Sequence, residues 1–242
     1  MKRPVLSSCA AALCLIALLA GSLPLAAAKV ANARCRGERA TITGTGRADT
    51  LTGTSGRDVI VGLAGDDTID GRGGNDLICG GNGTDTVQGG MGDDVALGGA
   101  AKDYLNGDAG HDVLYGDRGR DLLYGGDGRD RLYGGPGADS PSGEHYDGGL
   151  IGGDGADLVD GADGIDELEG GRGDDRIRGG SNNDVAYGGP GQDRVNGGAD
   201  DDNLFGNAGA DDIDGGSGAD SADGGRAIDS CQNTETESNC ES

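Results

Sequence analysis

From Gly44 to Gln232 the chain repeats itself every nine residues through 21 consecutive units, with no break in the count. The unit reads G-G-x-G-x-D-x-U-x, U being a large aliphatic residue. Clear copies are Gly80-Gly81-Asn82-Gly83-Thr84-Asp85-Thr86-Val87-Gln88 and Gly170-Gly171-Arg172-Gly173-Asp174-Asp175-Arg176-Ile177-Arg178. A fixed short period marks a solenoid, in which each repeat buries its apolar side only against its neighbours. Glycine-rich turns carrying one aspartate each suit a hard cation, and calcium is the first candidate.

A conventional core is out of reach, because the 242 residues include no Trp and a single Phe, while 54 are Gly and 43 acidic groups face 19 basic ones. A chain this polar ordinarily stays disordered, and periodicity reverses that expectation only if something neutralises the charge. So acidic a surface argues against nucleic acid or an anionic membrane as partner and favours cations. The first residues differ in kind: Lys2 and Arg3, an apolar run from Val5 to Leu25, then Ala26-Ala27-Ala28. They read as a secretory signal peptide over 1–28, hence a secreted, extracellular protein. The competing reading is an uncleaved membrane anchor, against which Pro24 and the alanine triplet weigh. The rest divides into an N-terminal cap at 29–43, the array at 44–232 and an acidic C-terminal tail at 233–242. Beyond the leader stand Cys35, Cys79, Cys231 and Cys240. An even number in an exported chain suggests disulfides. Three connectivities are open; Cys35–Cys79 with Cys231–Cys240 is preferred, since each pair would staple one end of the array.

Position one is Gly in all 21 units, position four in 15 and position two in 12. Such density serves backbone with φ > 0 and leaves carbonyls free to face a cation. Position six is Asp in 20 of 21 units, and position eight is Leu, Ile or Val in 16. Around position eight the side chains alternate outward, inward, outward, as in a short half-buried strand. Each unit is therefore a turn plus a strand, and two units make one coil of 18 residues. Coils stacked at strand spacing, about 4.8 Å, bring position-six carboxylates into columns. Uncompensated neighbours there repel by roughly 3–4 kcal/mol at an effective dielectric near 20. A divalent ion between turns converts that repulsion into coordination, so its binding energy becomes folding energy. The calcium-free chain is expected to be largely unfolded.

These residues resemble the RTX (repeats-in-toxin, hemolysin-type) family of calcium-binding nonapeptide repeats over 44–232. The resemblance implies an all-β parallel β-roll with many Ca²⁺ ions between successive turns, held by position-six aspartates and turn carbonyls. Carried over by position, the implied metal ligands are Asp49, Asp58, Asp67, Asp76, Asp85, Asp94, Asp103, Asp112, Asp121, Asp130, Asp139, Asp157, Asp166, Asp175, Asp184, Asp193, Asp202, Asp211, Asp220 and Asp229. RTX proteins commonly leave Gram-negative cells by an uncleaved C-terminal signal. The N-terminal leader here, with Cys35…Ala40-Thr41-Ile42-Thr43-Gly44-Thr45 and Ile78-Cys79-Gly80-Gly81, is more similar to small secreted calcium-binding proteins of high-GC Gram-positive bacteria. No toxin, protease, lipase or epimerase domain accompanies the repeats, so no enzymatic activity is expected.

Arg47, Ala101, Tyr146, Asn182, Asp200 and Ala227 replace the position-four Gly and put their local sites in question. The largest irregularity, residues 139–148, has Pro141 where an aliphatic belongs and Gly148 where Asp belongs. It reads as a decayed coil or bulge, or as a ligand or transition-metal spot built on Glu144, His145 and Asp147. Acid pairs such as Asp66-Asp67 fall at positions five and six, so the repeat itself accounts for them rather than acid–base catalysis. No nucleophile elbow, P-loop or EF-hand spacing occurs. Tyr115, Tyr124 and Tyr133 hold position nine of successive units, which places Tyr115 and Tyr133 on one face and Tyr124 on the other. They suit cross-strand packing or, alternatively, a weak glycan or cell-surface contact of an adhesive or structural rod.

Overall fold

The computed structural model describes residues 33–137, 139 and 149–240, and every regular element among them is a strand. Most strands run from position seven of one unit to position three of the next, as in Val95–Ala100 and Arg176–Ser181. Successive strands alternate between two parallel sheets of eleven strands each, one from Ile42–Thr43 to Ser230–Gln232, the other from Thr50–Thr52 to Thr236–Ser238. The fold is thus the all-β roll of 18-residue coils read from the period. Because register is fixed by the repeat length, like residues stack: Leu105 lies beside Leu123, and Ile177 beside Val195.

Position eight fills the space between the sheets. Ile60, Ile69, Ile78, Val87, Leu105, Leu114, Leu123, Leu132 and their successors through Ala222 form one continuous buried column. The flanking positions seven and nine alternate away from it, so each strand contributes one large side chain to this column.

At one place the pairing interval changes. Leu123 pairs with Leu150 and Leu132 with Val159, an interval of 27 instead of 18. Asp139 stands next after Asp121 in its column, and the following strand of that sheet opens at Gly149. In this register Asp139 and Gly149 hold consecutive places along the roll. The 18-residue spacing holds on both sides of this step. The register thereby sets an intact aspartate, Asp139, before an intact aliphatic, Leu150. The ligand spot expected at Glu144, His145 and Asp147 lies outside the described residues.

Both disulfides form as expected, but the first does a different job. Strands Arg34–Cys35 and Glu38–Arg39 make a small antiparallel hairpin. This hairpin lies on the outer face of the first sheet, where Ala33, Cys35, Val59, Val61 and Leu77 form a second apolar cluster. Cys35–Cys79 thus clips a flank instead of closing an end. The end of the core is covered at the other terminus, where Cys231 packs on the main column and bonds Cys240. Rolled structure also extends past the expected bounds, since Ile42 pairs with Ile60 and Thr236 with Ser221. The leader at 1–28 lies outside the described residues.

Deletion of residues 140–148 should leave the roll intact, changing stability by less than about 1 kcal/mol and the thermal midpoint by less than about 4 °C. Circular dichroism of the deletion variant checks this; loss of the β signal would place those residues inside a coil.

Candidate metal centre

The turn geometry puts every position-six aspartate inside the roll. Asp49, Asp67, Asp85, Asp103, Asp121, Asp139, Asp166, Asp184, Asp202 and Asp220 form one column. Asp58, Asp76, Asp94, Asp112, Asp130, Asp157, Asp175, Asp193, Asp211 and Asp229 form the other. All of them except Asp49 are buried. Within a column each aspartate but the last donates its backbone N–H to Oδ1 of the aspartate one coil on, at 2.7 Å from Asp58 to Asp76 and 2.9 Å from Asp184 to Asp202. One carboxylate oxygen per unit thus completes the main-chain hydrogen bonding of its neighbour.

The second oxygen has nothing. In eighteen of the twenty aspartates, Oδ2 is buried and lacks any hydrogen-bond partner. Leaving a buried charged acceptor unmet is costly, and an atom left so eighteen times in register points to a group that would meet it. The space beside it is kept open by glycine. A Cβ added to Gly71 would come 2.6 Å from Asp76 Oδ2 and 2.5 Å from the carbonyl of Gly89, so a carboxylate and a main-chain oxygen border one small gap. Among the described residues no three His, Cys, Asp or Glu side chains converge. A cation here would therefore complete its shell with carbonyls, the donor set that hard ions such as calcium accept.

Desolvation dominates the electrostatics of the columns. It raises the carboxyls of Asp94, Asp103, Asp112, Asp121, Asp139, Asp184 and Asp193 to about 7. Asp85, Asp157, Asp166, Asp175 and Asp202 rise to about 6. The hydrogen bond at Oδ1 pulls the other way, while the next aspartates of the column, such as Asp67 beside Asp85, add to the rise. Asp58 is the exception: burial raises it, but hydrogen bonds from the Thr54 amide and hydroxyl and from Thr41 bring it below its usual range.

Position five carries a second, exposed ladder of opposite sense. Thr84 donates its N–H to Asp66, His111 to Asp93, and Arg129 to Nδ1 of His111. The acid pairs therefore divide into an outer hydrogen-bonding member and a buried one, as the repeat reading required. Ala101, Asn182, Asp200 and Ala227 hold position four at φ between 76° and 108°, so the turn keeps its left-handed bend without glycine there. Tyr115 and Tyr133 stack at 4.9 Å between ring centroids, with the Arg36 guanidinium over Tyr115. Sequence reading missed Glu235, whose Oε2 accepts the N–H of Asp220 at 2.6 Å and so ends one column. Its offset from the nine-residue count hid it.

A sequence profile of the RTX calcium-binding nonapeptide repeat matches residues 43–78, 80–114, 106–141, 151–186 and 187–222. No curated protein is significantly similar to the chain.

Without a cation, the carboxyls near 6 to 7 in the roll titrate near 3.8 in the unfolded chain. The ion-free roll then binds more protons than the unfolded chain, and its stability falls as pH rises from about 4 through 7. In EDTA, β content should be greater at pH 4.5 than at pH 7.5 by circular dichroism. A β signal that grows with pH would contradict the burial of the columns.

Proposed function

The chain belongs to the RTX calcium-binding nonapeptide repeat family, and from that premise we propose that it is a secreted, non-enzymatic protein that folds on binding many Ca²⁺ ions. The single observation that carries this reading is the set of eighteen buried Oδ2 atoms with no partner. The aspartates from Asp67 to Asp229 are its ligands, together with turn carbonyls. Each ion offsets the desolvation and mutual repulsion of its column, so binding free energy appears as folding free energy. Because every coil contacts only its neighbours, the response to calcium is cooperative. An affinity of about 10⁻⁴–10⁻³ M, usual for extracellular calcium modules, would leave the chain soft inside the cell and rigid outside. The paired cysteines support an oxidising destination.

Far-UV circular dichroism of residues 29–242 tests the proposal. Addition of Ca²⁺ should produce a sharp coil-to-β transition near millimolar concentration, reversed by EDTA and not produced by Mg²⁺; a chain fully folded in EDTA at pH 7.5 would overturn it. Two changes at one position separate the roles of the two carboxylate oxygens. Asp121→Ala removes the acceptor of the Asp103 N–H and should cost the calcium-loaded roll about 1–3 kcal/mol. Asp121→Asn keeps that acceptor and removes the charge. It should raise the calcium midpoint with less loss of stability at saturating calcium than Asp121→Ala, as read by calcium titration and by urea unfolding in excess calcium.

A further inference from the structure

Two aspartates stand outside the pattern. Asp49 and Asp58 are the members of the columns whose Oδ2 is not orphaned. Asp49 Oδ2 accepts the backbone N–H of Thr45 at 2.6 Å and its hydroxyl at 2.8 Å. Asp58 Oδ2 accepts the same two groups of Thr54, at 2.8 and 2.9 Å. Thr41 supplies Asp58 Oδ1 as well, at 3.1 Å.

The backbone explains why only these two differ. Position two has φ > 0 in all eighteen other described units that form the columns, whether its residue is Gly, Leu63, Arg72, Asp108, Asp117, Ala162 or Asn207. Thr45 and Thr54 alone do not. A β-branched side chain tolerates the left-handed region poorly, so these turns bend the other way. Their amides then face the carboxylate, and the hydroxyl joins them. The eighteen left-handed turns are also the eighteen with an orphaned oxygen.

Resting on the calcium reading of the remaining eighteen, we propose that Thr45 and Thr54 take the place of a cation, so that the first coil is ordered without calcium and is the base on which the calcium-dependent coils stack. Other features of that end point the same way. The hairpin Arg34–Arg39 covers Val59, Val61 and Leu77, Arg57 pairs with Glu38 at 2.8 Å, and Cys35 is bonded to Cys79. Such contacts reduce the chain entropy of the segment with no ion involved. Folding then has a fixed start and runs toward the C-terminus. Asp49 and Asp58, implied as ligands by position, are on this account not calcium sites.

Hydrogen exchange read by mass spectrometry on the full disulfide-bonded chain tests this. In EDTA at pH 7.5, peptides within 42–61 should exchange at least about tenfold more slowly than peptides within 80–230, a local stability difference of the kind exchange resolves. With saturating calcium both regions should be protected. The double variant Thr45→Gly, Thr54→Gly should keep its protection in calcium and lose it at 42–61 in EDTA, bringing the first coil under calcium control. Equal, fast exchange of both regions in EDTA, with calcium still protecting the array, would overturn the inference alone. Protection from end to end in EDTA would overturn the calcium-driven folding beneath it. Unchanged protection of 42–61 in the double variant would show that the threonines are not the device.

Discussion

The roll depends on how each buried carboxylate divides its two oxygens. Oδ1 is committed to the main chain, accepting the amide of the aspartate one coil back, and this bond recurs along both columns. It fixes the rotamer, so the direction of Oδ2 is fixed too. A side chain free to turn away could carry its charge to solvent; this one cannot. The requirement for a cation is therefore built in by an ordinary hydrogen bond that has nothing to do with metal, and the glycines at position one preserve the gap into which Oδ2 faces.

The sense of the turn decides which carboxylates carry that requirement. A left-handed residue at position two directs its amide away from Oδ2, and glycine is favoured there because L side chains enter that region with strain. Gly81, at φ 122°, packs so close to the carbonyl of Leu63 that no Cβ fits. The conformational freedom of glycine and the unmet oxygen are thus one feature seen twice. Where threonine enters, the strain is refused, the turn changes and the oxygen is satisfied internally.

Most of the architecture was legible because the period is rigid. Register, the buried column at position eight and the two lines of aspartate follow from counting by nine, and the disulfide partners from their places at the ends of the array. What escaped the reading escaped for physical reasons. A pairing interval of 27 in place of 18 preserves the nine-residue phase, so periodicity alone does not reveal it. Clipping of the hairpin to the flank depends on apolar residues at outward positions, Val59, Val61 and Leu77, which the repeat pattern treats as variable. Glu235 does the work of an aspartate from a coil shortened to fifteen residues, out of step with the count. The threonines at position two were visible as letters, but their meaning required the backbone angle.

The two disulfides bracket the array unequally, with a sequence separation of 44 for Cys35–Cys79 and of nine for Cys231–Cys240. Under tension applied to the two termini, force bypasses each closed loop, because the covalent bond carries it from one sulfur to the other. The extensible length is then the stretch between Cys79 and Cys231. It comes off the stack coil by coil, while the segment from Cys35 to Cys79 bears no load. The coils closed by Cys35–Cys79 are shielded from such a pull and would stay as the template on which the rest rewinds.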